Sequence, residues 1–184
     1  MTDGDPTDPA TGLPAVHRVR IELLLVSSRH RYEGRPADGA LPADEDERRD
    51  TIRLREGLGI VGDRYCNAPA HRRASVTVIG ADALDAVAEE LGVPIDPVAT
   101  RRNVVLRGVD VDALRGVRFS LDSGSGPVLF QGNRPANPCA WMDHELAPGA
   151  FRAMRGRGGV RCEPLSDGSL SLGAAVLRTA VALL

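Results

Sequence analysis

Apolar and polar positions alternate with a period of two along much of the chain, as expected of strands with one buried face. The run from Val16 to Ser27, VHRVRIELLLVS, begins in this alternation and ends apolar on both faces, which predicts a first strand running into a core. Thr51 to Glu56 alternates again, with Ile52 and Leu54 inward. Ala74–Gly80, Val104–Leu106, Val117–Leu121 and Pro127–Gln131 predict further strands, the last two joined by a hairpin-type connection through SLDSGSGP. Near the end, VRCEPLSDGSLSL predicts a hairpin around Asp167-Gly168, and Ala174 to Leu183 a final strand. The helical period is clearest in one stretch. Leu84, Val87, Ala88 and Leu91 fall on one face, with Asp82 in the first turn and Gly92 past the end, so a helix is predicted over 81–91. A shorter helix is predicted in PGAFRAMRG, with Pro148 at its first position and Gly156 and Gly158-Gly159 ending it. Gly108 to Gly116 predicts one more helical turn.

Many short strands between glycine and proline turns, without a strand-helix-strand rhythm, predict a mainly β fold: a mostly antiparallel, barrel-like sheet with a few short helices. The 184 residues suffice for one well-buried core. The expected organisation is a flexible tail over 1–15 and a single domain over 16–184, because Met1 to Ala15 offers little to bury. Ser28 to Asp50 reads as one long loop. Its first half carries Arg29, His30, Arg31, Tyr32 and Arg35, and its second an acidic run. The basic half is either an anion-binding rim or a solvated charged surface. In GLGIVGDRYC, Ile60 and Val61 read as a buried pair and the glycines at 57, 59 and 62 as turns or close approaches. That segment has neither the ending of a phosphate loop nor the spacing of a dinucleotide fingerprint.

Composition narrows the function. A net charge of -2 and a pI near 6.1 argue against nucleic-acid or membrane-surface partners and for a small-molecule substrate. All 23 basic residues are arginine. Without lysine, no side chain here can form a Schiff base with pyridoxal phosphate. Cys66, Cys139 and Cys162 are odd in number, widely spaced and without a CxxC, which suggests neither a disulfide framework nor a zinc or iron–sulfur site. With no signal-like or membrane-length apolar run, the expectation is a soluble, cytoplasmic protein.

The candidate chemistry centres on Asn137-Pro138-Cys139-Ala140-Trp141, which holds the sole tryptophan. A cysteine directly after proline is expected on a shaped loop or at a helix start, where a thiolate is favoured, although a lone cysteine also serves as a small buried hydrophobe. Arg101, Arg102 and Asn103, at the mouth of the Val104–Leu106 strand, suit a phosphate and a heterocycle edge, or else cap exposed strand ends. His71 and His144 are lesser candidates, and Asp143 is expected to orient backbone.

Taken in order, GLGIVGDRY, SVTVIGADALDAV, RRNVVLRGVDVDALRGVRFSL, PCAWMD and PGAFRAMRGRGGVRCEPLSDGSLSLG resemble the MOSC domain, the C-terminal domain type of molybdenum cofactor sulfurase. The likeness runs from about Thr51 to about Leu177. It implies a β-rich barrel that binds a molybdopterin-type cofactor, with Cys139 either ligating molybdenum or carrying transferred sulfur. It also implies cofactor contacts at Arg101, Arg102, Asn103, Gly62, Asp63 and Arg64, and at Asn137 in the cysteine loop. The family often has histidine after GDR; Tyr65 stands there in this chain. The resemblance suggests a stand-alone reductase of amidoxime-type or other N-hydroxylated small molecules, fed by an external electron donor. The alternatives are a sulfur carrier loaded by a separate donor protein, and a non-catalytic binding domain.

Overall fold

The computed structural model describes residues 12–43 and 45–183. The strands are β1 (Ala15–Leu24), β2 (Thr51–Arg55), β3 (Gly59–Ile60), β4 (Val76–Gly80), β5 (Val104–Arg107), β6 (Arg118–Asp122), β7 (Val128–Pro135), β8 (Val160–Pro164), β9 (Gly168–Ser171) and β10 (Gly173–Thr179). The helices are α1 (Ala81–Leu91), α2 (Trp141–Glu145) and α3 (Ala150–Ala153). Seven strands close a barrel in the order β1-β10-β6-β7-β8-β4-β5, while β3, β2 and β9 form a small separate sheet. Of the expected tail, residues 1–11 lie outside the described residues; Leu13 is buried and Ala15 already belongs to β1.

The fold is mainly β, and the barrel is antiparallel except between β4 and β5. Those two are parallel and joined across α1, a strand-helix-strand unit that the sequence pattern did not lead us to expect. The long connection from Gly80 to Val104 gives the chain the length a parallel crossover requires. The helix over 81–91 forms as its periodicity predicts, ending on Gly92 at φ 68°.

Two apolar clusters sit on opposite sides of the barrel wall. Val76, Val78, Val104, Leu106 and Leu24 face inward with Phe119 and Phe130, whose rings stack at 5.2 Å. Ile79, Val105 and Leu23 face outward and pack under α1, α2 and α3 with Leu84, Trp141 and Met142. Burial on both faces explains why ELLLV and VVL are continuously apolar rather than alternating.

Three expectations change in detail. No hairpin forms around Asp167-Gly168, because β8 pairs with β4 and β7 whereas β9 pairs with β2. Leu170, buried opposite Ile52, completes the small sheet instead. Val61 is exposed beside its buried neighbour Ile60, because the chain leaves β3 there and enters a turn. The helix expected to begin at Pro148 begins two residues later, at Ala150, capped by Gly149 at φ 93°, with the Asp143 carboxylate accepting the Phe151 N–H at 2.7 Å. Asp143 does orient backbone.

Candidate functional site

The cysteine loop leaves the end of β7 and is gripped where it turns. Gly158 and Gly159 let the entry to β8 pass so close to β4 and to the loop that a Cβ at 159 would stand 2.0 Å from the Val78 carbonyl oxygen. One at 158 would stand 2.5 Å from that of Ala136. With φ at +86°, Gly159 also occupies a backbone region that side-chain-bearing residues disfavour. The close approach brings the Gly158, Ala136 and Asn137 carbonyls together around one guanidinium. Arg102 donates to Gly158 O at 3.1 Å, Thr100 O at 3.0 Å, Ala136 O at 2.7 Å and Asn137 O at 3.4 Å. Past Pro138, Cys139 is exposed, and its carbonyl accepts the Met142 N–H at 2.9 Å as α2 begins.

Cys139 stands at a cavity of about 210 Å³ lined also by His30, Arg31, Tyr32, Arg64, Tyr65 and Thr77 on one side of the loop. Thr100, Arg101, Arg102, Asn137, Trp141, Met142 and Arg161 complete it. The cavity sits outside the barrel wall, since Thr77 of β4 and Arg161 of β8 are cross-strand partners on the face opposite the barrel core. Tyr32 and Trp141 stack at 4.9 Å with planes 7° apart, closing one wall and tying the long 28–50 loop to α2.

Five arginines line this cavity, and no carboxylate does. Two of the five share one carboxylate behind the cavity. Glu47, buried, holds Arg101 through both carboxylate oxygens and takes Arg31 Nη1 at 3.2 Å, with the Ser27 hydroxyl donating as well. Burial works against this carboxylate, but the donors from Arg101, Ser27 and Arg31 outweigh it and hold its pKa down at about 2. Arg102 meets carbonyls only; burial, reinforced by Arg161, pushes its guanidinium down to about 10, so it stays charged at neutral pH. Burial likewise lowers Arg161, with Arg134 and Arg64 adding to the effect. His30 is lowered by burial and by Arg64, which keeps its imidazole neutral near pH 7.

The donors left for a ligand are therefore those of Arg64 and Arg161. Arg64 Nε and Nη1 are buried without a hydrogen-bond partner; the Asp63 carboxylate lies 3.6 Å from Nη1, and the Tyr65 ring 4.5 Å below the guanidinium. A buried donor without a partner is costly, so this one calls for an acceptor that enters the cavity. The Arg161 guanidinium has no hydrogen-bond or ion-pair partner among the described residues.

Of the residues singled out in the sequence, the structure brings Arg64, Arg101, Arg102, Asn137 and Cys139 to one cavity. Asn103 and Asp63, both buried, stand behind it, and Gly62 is an exposed turn glycine beside Asp63. Asn103 bridges four groups: its Oδ1 accepts from Thr77 N at 2.9 Å and Thr77 Oγ1 at 2.8 Å, and its Nδ2 donates to Leu25 O and to Asp63 Oδ2, each at 3.1 Å. His71 packs its ring on Tyr65 at 4.4 Å, and His144 is exposed and paired with Glu145. Cys162 lies in the barrel core, where burial pushes its thiol pKa up, and Cys66 is half-buried. Sequence reasoning missed Arg161 and Glu47. Arg161 shares the outward face of β8 with ordinary surface positions, and Glu47 falls inside an acidic run that reads as solvated.

A molybdopterin-type cofactor, with its phosphate and its sulfur-bound metal, meets suitable groups here. The orphaned Arg64 nitrogens and the free Arg161 suit the phosphate, and an exposed thiol suits a soft metal. A model of the MOSC domain matches residues 62–177. The fold is similar to that of the YuaD protein from Bacillus subtilis, with a TM-score of 0.66 and 19% identity over 91% of this chain and 99% of that one. It is similar also to YiiM from Geobacillus stearothermophilus (TM-score 0.56, 15% identity, 87% of this chain and 74% of that). YiiM from Escherichia coli has a TM-score of 0.56 and 16% identity, covering 89% of this chain and 71% of that. No curated protein sequence matches. Among the described residues, no helix is long and apolar enough to cross a membrane.

Proposed function

The chain belongs to the MOSC domain family, which is associated with molybdenum-cofactor binding, and from that premise we propose that the arginine cavity holds the cofactor with Cys139 as the protein's sulfur ligand to molybdenum. We propose further that the protein reduces amidoxime-type and other N-hydroxylated small molecules. When bound, the cofactor supplies two-electron redox chemistry at the metal. The net reaction breaks one N–O bond, consumes two electrons and two protons, and releases water.

The observation that carries the reading is the pair of unsatisfied, buried Arg64 nitrogens in a cavity with an exposed cysteine on its rim. In this reading Arg64 and Arg161 grip the phosphate: Arg64 offers its two unpartnered nitrogens although Asp63 lies behind it, and no carboxylate lines the cavity itself. Arg102 works from behind, fixing the loop that carries Cys139 through the Ala136 and Asn137 carbonyls. The Tyr32–Trp141 wall keeps water from one side of the site.

Protein made in a host that synthesises the cofactor is expected to contain stoichiometric molybdenum by elemental analysis. Metal-free protein from such a host would overturn the reading.

The exposure of Cys139 also favours a second reading, a persulfide carrier. There the Cys139 thiolate attacks the outer sulfur of a donor's cysteine persulfide; the donor's S–S bond breaks and the donor leaves as a thiolate. Incubation with a cysteine desulfurase is then expected to add the mass of one sulfur to the Cys139 peptide. Failure to load beside a working control carrier would count against it.

A further inference from the structure

The arginines do not stop at the cavity. Arg161, which lines it, lies directly opposite Arg134 in the β7–β8 ladder, so both side chains emerge on the same face. Like charges directly opposed across a ladder destabilise it. Here a register shift between Gly132 and Arg134 re-aims the strand at this point, and Arg134 is exposed. Beyond it, the 3-10 turn Pro69–Ala74 presents Arg72 and Arg73, both exposed. That turn is fastened to β7 by Asn133, which donates to Arg73 O at 2.9 Å and accepts from Arg73 Nη2 at 3.2 Å. The three exposed arginines and Asn133 line a surface groove whose one carboxylate is Glu163. Among the described residues none of the three has a carboxylate within ion-pair distance.

This concentration is not a by-product of a basic chain, because the net charge is -2.

We propose that Arg72, Arg73 and Arg134 form the docking surface for an acidic electron-donor protein. This rests on the reductase reading, which needs two electrons per turnover from outside a chain whose cysteines have no iron–sulfur spacing. Each single-electron donor molecule gives one electron, so two are oxidised for each N–O bond broken; of the two protons taken from solvent, one joins the departing hydroxyl to make water and the other goes to the nitrogen. Electrostatic attraction to the arginines raises the encounter rate and presents the donor's cofactor to the cavity mouth.

The test uses the full chain carrying its cofactor and the triple variant Arg72→Glu/Arg73→Glu/Arg134→Glu, with the neutral Arg→Gln triple as a milder control and circular dichroism to establish folding. The probes are an acidic flavodoxin and an acidic ferredoxin, with a DNA duplex as counter-probe. Wild-type protein is expected to bind the acidic donors at about 20 mM salt and to lose about tenfold in affinity or more at about 200 mM. The Glu triple is expected to lose at least about tenfold at low salt and the Gln triple less, because the contribution is one of charge. With reduced flavodoxin as donor, amidoxime reduction falls in parallel. With reduced methyl viologen, which needs no docking, it is unchanged. Equal binding by wild type and triple, no binding of either acidic protein, or duplex DNA bound in their place would overturn the proposal. If viologen supports no turnover even in wild type, the reductase reading fails, whereas the binding measurement still decides the surface.

Discussion

Cys139→Ser is expected to remain folded and to lose reductase turnover. The side chain is exposed, its sulfur makes no hydrogen bond among the described residues, and the loop is fixed by Arg102 through backbone carbonyls. Stability should therefore change by no more than about 0.5 kcal/mol, the range for surface substitutions away from special features. The chemistry changes far more. A thiolate is a soft donor suited to molybdenum, whereas a serine hydroxyl is a hard one. Loss of an outer partner of a metal ligand already costs about 10-fold to 100-fold in activity or affinity. Removing the ligand itself should cost at least about 100-fold in kcat/KM. Molybdenum content separates the two roles of the cysteine. Under the ligand reading it falls in the serine variant, and under the carrier reading it does not follow the substitution at all. A serine variant with wild-type turnover would remove Cys139 as the metal ligand.

The strands and α1 were legible because each is dictated by its own residues. Ile52 and Leu54 alternate inward wherever β2 pairs, and α1 carries its apolar stripe and its Gly92 terminator within 12 residues. Partner choice was not legible in the same way. Asp167-Gly168 has the chemistry of a tight hairpin, yet β9 leaves β8 and pairs with β2, where Leu170 covers the small sheet. Arg55 and Glu56 meet Asp167 there, an alliance between residues more than 100 positions apart that no local pattern encodes. The parallel β4–β5 pair was hidden for a similar reason. A single strand-helix-strand unit inside an antiparallel barrel sets up no rhythm to detect.

The site divides along the same line. Residue types announced Cys139, a thiol after proline, and the Arg101-Arg102 pair at a strand mouth, whereas Arg64 came only from the family resemblance. What the types could not announce is which donors remain free. Arg101 and Arg102, the natural candidates for a phosphate grip, have their guanidiniums engaged by Glu47, Ser27 and backbone carbonyls. The unspent donors belong to Arg64 and to Arg161, the second of which sequence alone does not distinguish from a surface arginine. Asn103 keeps its place in the site without touching the cavity, as the bridge between Asp63 and Thr77.

Glu47→Gln should destabilise the fold by about 3–5 kcal/mol, because it leaves the buried Arg101 guanidinium without its compensating charge. Arg101 adopts φ 60°, a left-handed backbone that costs a non-glycine residue about 1–3 kcal/mol and persists only where surrounding contacts over-determine it. Glu47 supplies most of that determination, together with Ser27 and the Tyr32 ring 5.9 Å from the guanidinium. The glutamine variant is thus expected to loosen the cavity wall as well as lower the denaturation midpoint. The pH dependence gives an independent reading of the same contact. Folding lowers the Glu47 pKa from 4.5 to about 2, so its contribution is fully present above pH 4.5 and is lost as pH falls through that interval. The shift is worth about 3 kcal/mol at 1.36 kcal/mol per pKa unit. Urea unfolding of wild type should therefore show stability falling by about that much between pH 5 and pH 2 beyond what the glutamine variant shows, since the variant has no group to titrate there. Parallel pH profiles for the two proteins would mean that Glu47 is not the buried counter-charge of Arg101, and the cavity would then carry one more unneutralised arginine than the geometry assigns it.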